Sequence, residues 1–504
     1  MRTPLHRVVL CATLVALGAC RVTPPPAPPP DSRAPVDLLI TGGIVVTMND
    51  ERQVLNPGAV AIADGRITAV DTPERLAAEF RASETIDATG HVVMPGLINT
   101  HTHAPMVMFR GLGDDLALMD WLNQYIFPAE AKTVSPEFVR AGAALASLEM
   151  IRSGTTTFVD MYYFEEEIAE VARQAGLRGV LGQTIIQFPV ADAPTPQDAL
   201  ARTEAFITRF KGDRLITPAV APHSMYTLEA DTLKATRALA TRHGVPLLIH
   251  LAETRDEVTT ARERYQTTPT RWLDSLGFWG PQTLAAHGVW VPQADITLLA
   301  ERGVGLSHNP ESNMKLASGT APVPAYLKAG VALGLGTDGA ASNNDLDMFD
   351  AMRLTSFLHK HATGDPTVVP AGQALELATL GGARALGRLR DLGSIETGKR
   401  ADVIVVGMDQ AKQTPMYDPV SHLVYTTDGD DVRDTVIEGR VVMRNRKVLT
   451  LKEAEVLAQA RQIAGRVREA VAQTRAQAGA PTVGTTAAAA DAGAPSGAAA
   501  KARP

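Results

Sequence analysis

Two hydrophobic textures alternate along this chain. Near both ends, short runs switch between apolar and polar positions and are broken by turn residues. At the front these are Asp37–Val46, Ala59–Ala63, the Asp64-Gly65 turn, Arg66–Val70 and Glu84–Ile86; at the back they lie within Ile395–Val406 and Asp434–Val442. Period-two alternation marks strands with one wet face. Neither flank has enough strands to bury its own face, so residues 36–93 plus 395–450 are expected to combine into one small composite β-sandwich. In between, over residues 94–394, runs such as Thr155–Asp160, Gly179–Leu181, Thr217–Pro222 and Val304–Ser307 alternate with helical periodicity in Glu137–Arg152 and Glu165–Gln174. Strands covered on both sides, alternating with helices, predict a parallel α/β architecture, here a (β/α)8 TIM-like barrel inserted between the two flanks.

Several of the apolar runs close on a polar side chain. His91–Thr100 leads into His101-Thr102-His103; Val245–Ile249 ends at His250, with Glu253 three positions on; Leu284–Ala286 ends at His287; Val331–Thr337 ends at Asp338. Side chains at i and i+2 of a strand share a face, so His101 and His103 can hold one cation without distorting the backbone. Glu253 lies off the face of an ideal strand, so the chain must already be turning there. The C-terminal strand ends of a (β/α)8 barrel are where catalytic groups collect. An H-x-H pair alone is equally compatible with histidines that bind nothing. Joined by His250, His287 and Asp338 at other strand ends, it predicts a hydrolytic metal centre that activates water.

The termini read differently. Met1–Arg7 is followed by apolar Val8–Ala19, and the segment ends Leu17-Gly18-Ala19-Cys20. Residues 1–19 resemble a bacterial lipoprotein signal peptide, whose removal leaves Cys20 as the acylated first residue. The apolar stretch is too short to span a bilayer. Arg21 stands where an aspartate would retain many lipoproteins in the inner membrane, so the expectation is an exported, lipid-anchored protein of the periplasm or outer membrane. A Pro-rich linker follows over residues 20–35, an extended and semi-rigid stalk. At the other end an Ala/Glu/Arg-rich helix is expected over 451–476, and an Ala-rich tail without periodicity, 477–504, is expected to be disordered.

Composition narrows the chemistry. With 504 residues, 45% of them hydrophobic and 20% charged, the chain can bury a large core and more than one domain. A net charge of -7 leaves no basic stripe, which argues against a nucleic-acid partner but not against a nucleoside substrate. Cys11 and Cys20 are the two cysteines. If Cys20 is lipidated, no thiolate is left for a metal, which must then be held by nitrogen and oxygen.

The segments Pro95–Met106, Phe109–Leu116, Pro222–Tyr226, His250–Thr254, Ser307–Lys315 and Gly336–Asn344 resemble the amidohydrolase superfamily. More narrowly, they resemble its 5-methylthioadenosine/S-adenosylhomocysteine deaminases, over roughly residues 36 to 450. The resemblance implies one divalent metal ion, usually Zn2+ with Fe2+ and Mn2+ as alternatives, bound by His101, His103, His250 and Asp338. It implies that Asp338 also takes a proton from water, that Glu253 protonates the purine ring nitrogen and relays a proton to departing ammonia, and that His287 hydrogen-bonds the attacking hydroxide. His223 matches the residue that fixes the nucleoside, and Glu130 the one that takes the ribose hydroxyls. Dinuclear members bridge two metals with a carboxylated lysine on a middle strand; here Lys132, Lys211 and Lys234 are the lysines between His103 and His250, and none ends an apolar run.

Members that accept S-adenosylhomocysteine place arginines after the strand near Gly179 to meet its carboxylate. In this chain Leu181–Pro189 has none, and the next arginine is Arg202. The departure favours 5-methylthioadenosine or adenosine, with Phe188 and Met106 as candidates for an apolar pocket around a methylthio group. The implied reaction is hydrolytic deamination to the inosine analogue. Another aminated or halogenated heterocycle (guanine, cytosine, a pterin or a triazine) is the alternative substrate class, and an anchored binding protein on a degenerate scaffold is the alternative without catalysis. Assembly into a homo-oligomer stays open.

Overall fold

The computed structural model describes Met1 and residues 31–477; the signal peptide, Cys20, most of the Pro-rich linker and the Ala-rich tail lie outside the described residues. The front flank supplies β1 (Ala34–Val46), β2 (Val54–Ala63), β3 (Arg66–Asp71), β4 (Phe80–Asp87) and β5 (Val92–Pro95). Eight strands follow: β6 (Leu97–Thr102), β7 (Thr155–Tyr162), β8 (Arg178–Ile185), β9 (Ile216–Pro222), β10 (Leu247–Leu251), β11 (Thr283–His287), β12 (Gly305–His308) and β13 (Ala332–Leu335). The back flank adds β14 (Val403–Val406), β15 (Val432–Ile437), β16 (Arg440–Arg444) and β17 (Lys447–Val448).

Strands β6 to β13 close into a parallel barrel, the last joints being β13 to β6 through Leu335 and Asn99 and β9 to β10 through Val220 and Leu247. Its strands are buried on both faces, which is why their sequences lack alternation. Ile98, Val159, Val180, Ala219, Leu248 and Leu284, from six different strands, pack in one cluster with Ala383 and Leu386. Helices Pro136–Arg152 and Glu165–Ala175 match the expected periodic segments to within a residue.

The flanking strands are hydrogen-bonded into a single nine-stranded sheet, in the order β17-β16-β15-β14-β5-β1-β2-β3, with β4 as the ninth strand, off this path on β1. Alternation along β14 explains its role: Val403 and Val405 join the sheet's own core with Leu38, Ile40 and Val60, while Ile404 and Val406 join the large core that includes the barrel. Two boundaries differ from expectation. Ala34 and Pro35, at the end of the expected stalk, already pair with Phe80 and Arg81 of β4. The single run from His91 to Thr100 is two strands in two sheets, β5 outside and β6 in the barrel, divided at Gly96. A Cβ at Gly96 would lie 2.2 Å from the Thr156 side chain, so the crossing point needs glycine. The C-terminal helix runs Glu453–Gln477. Among the described residues no helix is long and apolar enough to cross a membrane.

Candidate metal centre and its cleft

The C-terminal end of the barrel gathers the expected groups. His101 is in the last turn of β6, and His103 begins the loop beyond it. His250 lies in β10 and His287 is the last residue of β11, at φ 73°. Asp338 stands three residues past β13, in a left-handed conformation (φ 64°), and its backbone N–H donates to the His101 carbonyl at 3.0 Å. That bond, with the Asn99 side chain donating to Thr337 Oγ1 at 2.7 Å and accepting from Thr337 N at 3.1 Å, stitches the β13 loop to β6.

The donor atoms converge. Asp338 Oδ1 is 3.4 Å from His101 Nε2 and 3.3 Å from His103 Nε2. His103 and His250 face each other Nε2 to Nε2 at 3.3 Å. The Nδ1 atoms of these two rings sit 2.7 Å from backbone carbonyls, those of Met161 and His223. Carbonyls only accept, so each Nδ1 carries the hydrogen and each Nε2 turns a bare lone pair to the centre. His101 Nε2 is buried with no hydrogen-bond partner. Lone pairs crowded this closely, beside a carboxylate oxygen, repel one another unless a cation lies among them; the donor set fits a divalent metal ion. Burial pushes His101 down to about 4 and His250 well below its ordinary value, so both are neutral ligands at physiological pH. Burial alone would raise Asp338, but the His101 ring 3.4 Å away and the surrounding imidazoles outweigh that and hold its carboxyl well below the usual carboxylate range.

Around this centre lie the proton-handling groups. The chain turns at Ala252 (φ 46°) and so brings Glu253, 4% exposed, into the cleft. The turn is held by Glu257, whose carboxylate accepts from the backbone N–H of Ala252 at 2.9 Å and of Glu253 at 3.1 Å. Burial raises Glu253 above the usual carboxylate range, which favours its carrying a proton. His287 Nε2 is 3.8 Å from Glu253 Oε2 and 4.0 Å from Asp338 Oδ2. Burial disfavours its charged form, yet the two carboxylates more than offset that and raise its pKa. Its Nδ1 is 2.9 Å from Asn313 Oδ1. Ser342 Oγ donates to Asp338 Oδ2 at 3.0 Å.

A cleft opens above this centre. His103, His223, His250, Glu253, His287 and Asp338 line its polar end, and Met106, Trp121, Leu122 and Phe127 its apolar side. Glu130 also lines it: buried in the helix Phe127–Thr133, it accepts from Tyr162 Oη at 2.7 Å, and burial drives its pKa up to about 7. His223, pushed by burial down to about 3, is neutral, with Nδ1 3.1 Å from Ser224 Oγ and 3.2 Å from Thr227 Oγ1. Every site residue singled out from the sequence in the described region therefore faces one cavity, apart from His101, which lies beneath it among the converging donors, and Phe188. Phe188 stands in a second cavity, which shares Phe127, Glu130 and Tyr163 with the first. Trp121, Tyr162, Tyr163 and the supporting Glu257 stand outside the residues singled out from the sequence, and of these Glu257 alone carried a signal, the helix-start spacing Thr254-x-x-Glu257; Tyr226, and Asn309 and Asn313 beside His287 Nδ1, lie within the segments Pro222–Tyr226 and Ser307–Lys315 without a role assigned there.

Lys132 and Lys234 lie in helices Phe127–Thr133 and Ala230–His243, and Lys211 follows helix Pro196–Phe210, so none is on a barrel strand. Arg202 is 2.6 Å from Glu166 Oε1 and 3.7 Å from Asp192 Oδ2.

Comparison with known proteins agrees with this geometry. The sequence model of the amidohydrolase family matches residues 92–442. A 5-methylthioadenosine/S-adenosylhomocysteine deaminase of Syntrophobacter fumaroxidans is 50% identical over 432 residues, which is 86% of this chain and 98% of that protein. A 5'-deoxyadenosine deaminase of Methanosarcina mazei is 43% identical, covering 85% of this chain and 98% of that one. Among solved structures, an adenosine deaminase from Xanthomonas campestris with bound zinc superposes with a TM-score of 0.85 at 40% identity, over 87% of this chain and 100% of that one.

Proposed function

The chain belongs to the amidohydrolase family, and on that premise we propose that it is a metal-dependent aminohydrolase acting on 5-modified adenosines, with 5-methylthioadenosine as the favoured substrate. The exocyclic amine at C6 is replaced by oxygen from water, giving the inosine analogue and ammonia. His101, His103, His250 and Asp338 would hold one divalent ion, which we assign as zinc. When bound, such an ion supplies the Lewis acidity that brings a water's pKa toward neutrality. Asp338 would take a proton from the attacking water. Glu253, whose pKa burial raises, gives a proton to the ring nitrogen beside C6 and relays the next one to the departing amine. His287, between Glu253 and Asp338, orients the attacking oxygen. His223 fixes the purine, and the Glu130 carboxylate accepts hydrogen bonds from the ribose hydroxyls.

The second cavity bears on the choice of substrate. Phe127, Tyr163, Phe188, Pro189 and Val190 line it, and its charged lining group is a carboxylate, Glu130. Arg202, the first arginine after β8, is engaged by Glu166 and Asp192. A methylthio group suits such a wall, whereas the carboxylate of S-adenosylhomocysteine meets like charge and no cation there.

One observation carries the reading: three imidazoles and a carboxylate converge in a buried site beside a glutamate whose pKa burial raises, at the floor of a cleft lined by aromatic and aliphatic side chains. Metal-quantified protein should lower the ultraviolet absorbance of 5-methylthioadenosine and release ammonia. Across a panel, kcat/KM should be highest for 5-methylthioadenosine and 5'-deoxyadenosine, lower for adenosine and lowest for S-adenosylhomocysteine. Turnover confined to guanine, cytosine, a pterin or a triazine would reject the nucleoside reading.

We further propose export and anchoring through Cys20, a reading supported by the Met1–Cys20 sequence alone. Cys20→Ser should move the full chain from the membrane to the soluble fraction, and an unchanged partition rejects the anchor.

A further inference from the structure

Beneath the metal centre lies a pair of buried acids that the reaction does not use. Asp160, near the end of β7, has no solvent exposure, and neither has Glu165 at the start of the next helix. Asp160 Oδ2 accepts from Thr102 Oγ1 at 2.7 Å and from the backbone N–H of Ala104 at 2.5 Å, the residues immediately before and after His103. Thr102 Oγ1 also lies 2.8 Å from the Val159 carbonyl. The β6–β7 ladder is irregular between Leu97 and Ile98 and again between Asn99 and Thr102, so side-chain bonds hold the end of β6 where regular backbone pairing lapses.

The two acids share a second feature. Glu165 Oε1 accepts from the Tyr162 backbone N–H at 2.8 Å, which leaves Glu165 Oε2 without a hydrogen-bond partner; Asp160 Oδ1 is likewise buried without one. Two neighbouring carboxylates in a dry interior cannot both ionise, and one proton held between them satisfies both oxygens. Asp160, with two donors on its other oxygen, is the better-stabilised anion; Glu165, which burial and the Asp160 charge push well above the carboxylate range, is the proton holder.

We propose that Asp160 is the positioning residue of the metal centre: its carboxylate clamps Thr102 and Ala104 and so fixes the ring of His103 against Met161 and toward His250. The proposal rests on the reading of His101, His103, His250 and Asp338 as metal ligands. Asp160 touches neither substrate nor metal; it acts through the segment that carries His103. Hydrogen-bonded support outside the ligands is of the kind whose loss weakens metal binding by about 10–100-fold.

The test is competition of the full-length protein against a chromophoric chelator, which reads metal affinity independently of turnover. The parent should hold one equivalent of zinc; a parent that holds none sinks the ligand assignment itself and is distinguishable from failure of the clamp. Asp160→Ala should lose metal affinity by roughly 10–100-fold. Thr102→Val, which removes one donor at constant size and serves should Asp160→Ala not fold, should lose several-fold. Glu165→Gln presents an N–H where the shared proton lies and should stay within about threefold of the parent. Added zinc should restore kcat in Asp160→Ala, as a role in positioning requires. Metal affinity unchanged in both Asp160→Ala and Thr102→Val would overturn the clamp, and a loss in Glu165→Gln as large as in Asp160→Ala would overturn the placement of the proton.

Discussion

At the scale of single residues, the site works by giving similar groups different environments. Asp338 and Glu253 are both buried carboxyls, yet imidazoles hold the first ionised while burial favours protonation of the second. In the proposed reaction that separation makes Asp338 the base and Glu253 the acid. Glu253→Gln keeps the shape and a hydrogen-bond donor but cannot relay a proton, so metal content should be unchanged while kcat falls by about 10²–10⁴-fold; turnover near the parent value would remove the shuttle role. Glu130 makes a pH prediction of definite sign. Its carboxyl is raised to about 7, so it gains a proton as pH falls through that value and then offers one acceptor fewer to the ribose. KM for 5-methylthioadenosine should therefore rise on the acid side of about 7, with a smaller change in kcat. Glu130→Gln should raise KM roughly tenfold, the loss of one charge-assisted hydrogen bond of about 1.5 kcal/mol, and flatten that acid limb. A KM that stays flat in the parent from weakly acid to weakly alkaline pH would show that Glu130 does not meet the substrate as an anion.

At the scale of elements, what was legible followed from periodicity. Buried strands ending at His250 and His287, and an i, i+2 histidine pair at the end of β6, could be read because each chemical group sits at the end of an apolar run. Asp338 was readable too, although β13 stops three residues short of it, because the Gly336-Thr337-Asp338 turn continues the run. The division of His91–Thr100 was not legible: β5 and β6 are equally apolar, and only the partner sheets differ. Aromatics such as Trp121 and Tyr163, and the clamp at Asp160, depend on which helix and strand ends meet in space, which no local pattern encodes. Gly96 is the exception that could be noticed as a break. Gly96→Ala should destabilise the protein by about 1–3 kcal/mol, since its Cβ would meet Thr156 at 2.2 Å. Thr156→Ala should recover part of that loss in the double variant. Urea unfolding would measure both, and an unaffected midpoint for Gly96→Ala would show that the crossing tolerates a side chain.

At the scale of the whole molecule, the barrel's two ends do different jobs. The centre and cleft occupy the C-terminal ends of the strands; the opposite end is tied to the outer sheet by Arg178, the first residue of β8 and 1% exposed. Its guanidinium makes a fork to Asp402, just before β14, at 3.0 and 3.1 Å, and reaches Glu438 in the β15–β16 turn at 2.5 Å. Asp402 Oδ1 also accepts from the Glu438 backbone N–H at 2.7 Å, so one cation orders both back-flank segments against the barrel. Arg178→Met leaves Asp402 without its cation in a buried place, and the expected cost is about 3–5 kcal/mol of stability. Glu438 keeps Arg214 at 3.0 Å and Arg400, so it suffers less. Adding Asp402→Asn to Arg178→Met should therefore restore more stability than adding Glu438→Gln. Because the tie lies across the barrel from the metal centre, zinc content and kcat at temperatures where Arg178→Met remains folded should match the parent. A fall in kcat there, with metal still bound, would mean that the outer sheet sets the geometry of the strand ends as well as sealing the barrel floor.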